Sequence, residues 1–206
     1  MSSGTATSDA PLGGALPTDG RLLRAERTRR SVVDAFLDLV QEGELRPTAQ
    51  QVSDRCGVSM RSIFRLFEDV DALHVAAIAA HVERVAHLFE APGATGSLAS
   101  RVAALVAQRT SLYEAIAPVR RMAIRLAPRS RPIAAELAHA DTILRGHLGE
   151  LLAPELAAMH PDRRTEVLEA LDALTSWETW ERLRTAQRLG ADAAARVVTT
   201  TMLGVL

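Results

Sequence analysis

Residues 48–67 read TAQQVSDRCGVSMRSIFRLF, and this stretch contains the start and stop signals of two short helices. Thr48 followed three residues later by Gln51 forms a capping-box pattern, in which each residue satisfies a backbone or side-chain group of the other. The pattern predicts that a helix begins directly after Thr48 and covers residues 49–56.

The second half of the stretch predicts another helix that crosses the first. Gly57 can adopt the left-handed backbone that ends a helix, and Ser59 is a good N-cap for a helix over residues 60–67. Helices separated by so few residues must cross sharply. The apolar residues of the stretch are spaced to pack both helices on a preceding one, and they are Val52, Cys56, Val58, Ile63 and Phe67. This arrangement predicts a helix-turn-helix.

A helix-turn-helix predicts specific DNA contacts. Its second helix enters the major groove by its N-terminal residues. The predicted contacts on that helix are Met60, Arg61, Ser62, Phe64 and Arg65. Backbone N–H groups near Thr48 and near Val70, where a fourth helix begins, are predicted to meet DNA phosphates, because N–H groups at helix starts attract anions. Thr48 and Ser59 are further predicted DNA contacts.

A cluster of arginines precedes the motif. Five arginines and one acid, Glu26, fall within ten residues, and the arginines are Arg21, Arg24, Arg27, Arg29 and Arg30. By itself such a cluster is more typical of a solvated helix start. Next to a helix-turn-helix it favours a flexible arm, and we expect Arg27, Arg29 and Arg30 to grip the DNA backbone.

The pattern along the chain predicts an all-α fold of about nine helices in three parts. Residues 1–20 are predicted to form a disordered tail, 21–74 a DNA-binding domain and 75–206 a ligand-binding and dimerisation domain. Caps and breakers predict helices from about Val32 up to Gly43, then the two helices of the motif, and then over about 70–90, 98–117, 118–127, 131–152, 161–189 and 192–203.

The motif resembles the TetR family of one-component transcriptional regulators over about residues 24–75. The residues in common are Thr48, Gly57-Val58-Ser59, Phe64, Phe67, Asp69 and Leu73. The resemblance implies a three-helix DNA-binding head and a fourth helix that links it to a ligand and dimer domain. It also implies a homodimeric repressor that a small, largely apolar effector releases from double-stranded operator DNA.

The chain departs from the family pattern at three positions. The family usually has Tyr at 64, His at 66 and Lys at 70, all of which tend to contact DNA phosphates, whereas this chain has Phe64, Leu66 and Val70. These replacements put the usual backbone contacts in doubt. A helical adaptor or ligand-binding protein that does not bind DNA therefore stays the alternative.

Candidates for the effector site are scattered. Tyr113 and Met122 fall in the middle helices, where the family builds its pocket, and Arg125 belongs to a second basic stretch, which is either a solvated face or a source of one pocket guanidinium. Trp177 is a further candidate, although its spacing from Trp180 favours core or dimer contacts. The candidate ligand contacts are therefore Tyr113, Met122, Arg125 and Trp177, with a solvated face favoured for the basic stretch that contains Arg125.

Composition excludes other classes. A net charge of −1 argues against a protein that coats nucleic acid over its whole surface. The sequence has no phosphate-binding Gly-rich loop, nucleophile elbow or metal-ligand spacing, so we expect no enzyme activity, cofactor or metal. The lone Cys56 and the lack of a signal or membrane-spanning segment predict a cytoplasmic protein without a membrane partner.

Overall fold

Residues 18–93 and 95–206, the parts of the chain that this computed structural model describes, fold into ten α-helices and contain no strand. The helices are α1 Thr18–Gln41, α2 Ala49–Cys56, α3 Met60–Leu66, α4 Val70–Val85, α5 Leu98–Leu126, α6 Arg131–Leu151, α7 Ala153–Ala157, α8 Pro161–Leu174, α9 Trp177–Glu181 and α10 Ala191–Val205. The predicted all-α class is confirmed. None of the helices in these parts combines the length and the apolar content that a membrane crossing requires.

The helix-turn-helix forms as its local signals predict. The side chain of Thr48 accepts a hydrogen bond from the backbone N–H of Gln51, and the Gln51 side chain accepts one in return from the Thr48 backbone N–H at 2.8 Å. Gly57 has φ of 69°, in the left-handed region where a side chain is unfavourable. Ser59 caps α3 by accepting a hydrogen bond from the Ser62 N–H at 3.3 Å.

The predicted flexible arginine arm is wrong, because α1 already begins at Thr18. The C-terminal half of α1 is anchored by buried residues such as Phe36, which is 0% exposed. Extending a helix from an anchored half costs much less than starting one, so the arginine cluster continues as helix. Residues 18–20 of the predicted tail are therefore helical, and residues 1–17 lie outside the described parts.

The predicted break at Pro118 is also wrong, since Pro118 lies inside the continuous helix α5. A proline within a helix removes one backbone hydrogen bond. The residues around it are nevertheless held by packing, since Ile116 and Val119 are 6% and 3% exposed. Tertiary burial on both sides of Pro118 outweighs the local preference.

Other predicted boundaries shift in the C-terminal half. The single helix predicted over 161–189 is two, because Ser176 caps the new helix α9, whose last turn widens into a π-turn at Arg182–Ala186. The fourth predicted helix ends at Val85 and continues as a 3₁₀ turn, Ala86–Phe89. The short helix α7 was not predicted from the sequence.

Two apolar cores hold the molecule together. The head core joins α1–α4 to the end of α5 and the start of α6, and its members include Val32, Phe36, Val52, Ile63, Phe67, Leu73, Val119, Met122, Ala123 and Ile133. The body core joins α5, α6, α8, α9 and α10, and includes Leu105, Leu112, Tyr113, Leu148, Leu171, Trp177, Trp180 and Met202. Helices α4 and α5 contribute to both cores, so the head is packed on the body and does not hang from a linker.

Met122 provides a test of this shared packing. It is fully buried in the head core although it belongs to α5, whereas Ile124, two residues on, is 39% exposed. We expect Met122→Ala to lower the free energy of unfolding by about 2–5 kcal/mol, because it leaves a cavity. The control Ile124→Ala should change it by less than about 0.5 kcal/mol. Urea denaturation followed by circular dichroism measures both, and equal effects would contradict the shared core.

Candidate DNA interface and ligand cavity

Helix α3 presents a mixed surface to solvent. Ile63 is 1% exposed and anchors the helix to the head core, whereas Met60 and Phe64 are 36% and 44% exposed. Arg61 and Arg65 are exposed too, and within the described parts of the chain their guanidinium groups form no side-chain hydrogen bond or ion pair. The face that a helix-turn-helix directs to DNA therefore has two available cations and two apolar side chains.

A polar groove runs between α1 and the start of α3. Residues three, four and seven positions apart share one helix face, and this spacing places Arg21, Arg24 and Thr28 on the same side of α1. Across the groove lie Ser59, Ser62 and Arg65. Arg21 and Arg24 belong to the arginine cluster, but the sequence analysis did not single them out, because the helical phase of that cluster was unknown.

The three arginines that were predicted to grip DNA lie in different environments. Arg29 is half-buried, donates to the Leu66 carbonyl at 2.9 Å and stacks 4.3 Å from the centre of the Phe67 ring. Arg30 pairs with Glu26 at 3.2 Å and is roughly 180° around the helix from Arg21. Only Arg27 is both exposed and without an acidic partner in the described residues; its Nε donates to a carbonyl of its own helix. Arg29 thus ties α1 to α3.

Arg125, a candidate ligand contact in the sequence, lies in an open surface groove. It lines an open groove with Arg46 and Arg129, beside the starts of α2 and α4. All three arginines are exposed. Thr48, which caps α2, borders the same groove. Positive charges from the body and from the head therefore lie close together beside the N-termini of α2 and α4.

A largely apolar cavity of about 250 Å³ lies between α4, α5 and α6. Its walls include Ile78, Val82, Phe89, Ile116, Val119 and Leu137. Two of these, Ile78 and Val119, also belong to the head core. The cavity is thus located where the head and body cores meet.

Two buried polar side chains interrupt the apolar wall. His81 and Arg120 are 8% and 5% exposed, and neither the His81 Nε2 nor the Arg120 Nε has a hydrogen-bond partner among residues 18–93 and 95–206. The Arg120 Nη2 donates to Asp141 at 2.7 Å, and its guanidinium lies 5.8 Å from the Trp177 ring. Glu136 and His139 also border the cavity.

The four residues predicted to bind ligand do not line this cavity. Tyr113 is 2% exposed, donates to the Thr175 carbonyl at 2.8 Å, and packs its ring 5.7 Å from that of Trp177. Burial raises the pKa of Tyr113 to about 12. Met122 belongs to the head core and Arg125 to the open groove. Tyr113 and Trp177 are therefore core residues of the body.

Two solved structures have a similar fold over most of the chain. A TetR-family transcriptional regulator from Streptomyces coelicolor has a TM-score of 0.64 at 16% identity, over 86% of this chain and 83% of the other. A transcriptional regulator from Rhodococcus sp. Rha1 has a TM-score of 0.65 at 15% identity, over 88% and 95%. No protein-family model and no curated protein matches the chain. At these identities the likeness concerns the fold, and the expected TetR-like fold is confirmed.

Two buried histidines of α4 predict how stability depends on pH. Desolvation lowers the pKa of both His74 and His81 from the usual 6.5, and the nearby charge of Arg84 lowers that of His81 further. Below pH 6.5 the unfolded chain then binds more protons than the folded one. We expect full stability above this pH and a fall in the free energy of unfolding as the pH drops below it.

Urea denaturation at about pH 7.5 and 5.5 measures the effect, and the variant His81→Gln should show a smaller difference between the two. The carboxylates with lowered pKa, such as Glu114 and Glu155, start from a usual value of 4.5 and titrate below this window. An unchanged pH dependence in His81→Gln would contradict the assignment to His81.

Proposed function

We propose that the protein is a one-component transcriptional repressor that binds operator DNA as a homodimer and is released by a small, largely apolar effector. One observation carries the proposal most strongly: α3 of a helix-turn-helix exposes Arg61 and Arg65 without partners in the described residues. The two regulators of similar fold support the same function.

In this proposal Arg61 and Arg65 read bases while other groups hold the phosphates. Met60, Ser62 and Phe64 complete the reading face of α3. Because Phe64, Leu66 and Val70 cannot neutralise a phosphate, charge has to come from elsewhere. The groove arginines Arg21 and Arg24 and the exposed Arg27 supply it, with backbone N–H groups near Thr48 and Ser59. Arg29 and Arg30 are left to the structural contacts described above.

Selection from a random duplex library, followed by fluorescence anisotropy on the selected operator, tests the DNA contacts. Arg61→Ala should cost on the order of 1–3 kcal/mol of binding free energy and relax preference at one base pair, if it contacts guanine in bidentate fashion. Arg24→Ala should weaken all sequences alike and lower the salt slope by about one unit.

Arg30→Ala is the matched control, since Arg30 lies on the far side of α1 from the groove and should leave binding unchanged. Unaltered affinity and selectivity in Arg61→Ala and Arg65→Ala would overturn the role of α3 as reader. Failure to select any duplex would favour the helical adaptor instead.

The proposed dimer forms through α8 and α10. The sequence places Leu168, Leu171, Leu174, Val197, Val198, Thr201 and Met202 on these two helices, more than one helix pair needs to bury. Leu171, Val198 and Met202 are buried within the protomer. Leu168 and Leu174 are half-buried, whereas Val197 and Thr201 are exposed, Val197 by 42%. The exposed residues, four positions apart on one face of α10, are the ones left to contact a partner.

Sedimentation velocity at micromolar concentration tests the dimer. We expect Val197→Glu to shift the protein towards monomer, because it places a charge where apolar contact is proposed. Ile124→Glu, a similarly exposed apolar position on α5, should leave the distribution unchanged. A wild-type monomer, or equal behaviour of both variants, would contradict the interface.

Effector release follows from the position of the cavity. Helix α4 packs Leu73 into the head core and lines the cavity with His81 and Val82. A ligand that binds one arrangement of α4 more tightly than another shifts the equilibrium between them, and with it the separation of the two heads of the dimer. The shift is set by the difference between the two affinities. Helix α4, which extends from the head to the cavity, is therefore the element proposed to transmit ligand binding to the head.

A further inference from the structure

His81 and Arg120 line the cavity, and each carries a buried polar atom without a hydrogen-bond partner in the described residues, so their hydrogen bonding is incomplete. Buried polar groups in folded proteins nearly always have partners, so orphaned ones call for an explanation. Here two such atoms, the His81 Nε2 and the Arg120 Nε, belong to side chains that are more than nine-tenths buried and line the same cavity. A bound molecule that completes them explains both at once.

The chemistry of these two atoms selects the kind of group that completes them. The Arg120 Nε–H can only donate, and the one carboxylate that pairs with this guanidinium, Asp141, contacts Nη2. The His81 Nε2 donates in one tautomer of the neutral ring. An oxygen-bearing head group is the kind of acceptor that both donors require. A carboxylate is the acceptor that guanidinium groups bind most strongly.

The walls and the volume of the cavity determine the polarity and the size of the rest of the ligand. Its walls are aliphatic and aromatic, and 250 Å³ holds about eight groups of the size of a water molecule. We propose that the cavity binds a monocarboxylate with an unbranched or compact apolar body of about this size, with its carboxylate at His81 and Arg120. This assignment deepens the proposed effector function and rests on it for its biological role, but not for the binding itself.

The negative charge of Glu136 opposes the binding of an anion in this cavity. Its carboxylate also borders the cavity and is partly exposed, so water screens its repulsion of an anion. If Glu136 dominated, a cationic head group would bind better than an anionic one. Octanoate and octylamine, which both contain eight carbons in an unbranched chain but carry head groups of opposite charge, therefore separate the two cases.

Calorimetric titration of the full-length protein with octanoate and with octylamine is the first arm of the test. We expect octanoate to bind at least ~10-fold more tightly and to raise the melting temperature, because a ligand that binds the folded state stabilises it. Octylamine binding as tightly as octanoate, or no binding of octanoate up to its solubility limit, would overturn the proposal.

The second arm uses a pair of variants that break the same ion pair from opposite sides. Arg120→Met removes the donor and should weaken octanoate binding ~10-fold or more. Asp141→Asn also removes the ion pair, but it keeps the guanidinium and should leave octanoate binding as tight as in wild type or tighter. If the Arg120–Asp141 ion pair had only a structural role, both variants would lose octanoate affinity equally.

His81→Phe provides an independent check if Arg120→Met does not fold, since it replaces the ring nitrogens with apolar surface of similar shape. It should also weaken octanoate, and retained affinity in His81→Phe would contradict the site. None of these binding measurements uses DNA, so they test the site separately from the proposed function. Octanoate that binds without changing operator affinity would therefore refute effector release and leave the binding site intact.

Discussion

The packing of the end of α5 against the head is the constraint on which the other features depend. Met122 and Ala123 are 0% and 2% exposed, and both belong to the core formed by α1, α3 and α4. Apolar burial of this kind is non-directional but strong, about 25 cal/mol per Å² removed from water. It fixes the helix-turn-helix on the body in one orientation.

The same packing explains why the cavity lies where it does. Ile78, Val119, Ala123 and Ile133 are members of the head core and also line the cavity wall. Packed cores respond to a volume change by moving between discrete arrangements, because close-packed side chains do not deform continuously. In the proposed function, these shared side chains are what couples occupancy of the cavity to the position of the head. Helices α4 and α5, which both span this junction, are the elements proposed to transmit the change.

Local signals in the sequence were sufficient for the helix-turn-helix, and non-local packing explains what they missed. Thr48, Gly57 and Ser59 act within three residues of themselves, so their effect on the backbone is visible in the sequence. Pro118 and Arg29 depend on partners from distant elements, and the local rules misplaced both. The cavity depends on non-local packing most of all, because His81 and Arg120 are 39 positions apart and line the same cavity only through the packing of α4 on α5.

Filling the cavity with a side chain tests the coupling most directly, because it needs no knowledge of the ligand. Ala140 on α6 lines the cavity without belonging to the head core, and Ala138 is exposed outside it. The account predicts that Ala140→Phe, with its folding confirmed by circular dichroism, binds the operator at least about fivefold more weakly than wild type, while Ala138→Phe is unchanged. A folded Ala140→Phe protein that binds the operator as tightly as wild type would contradict it.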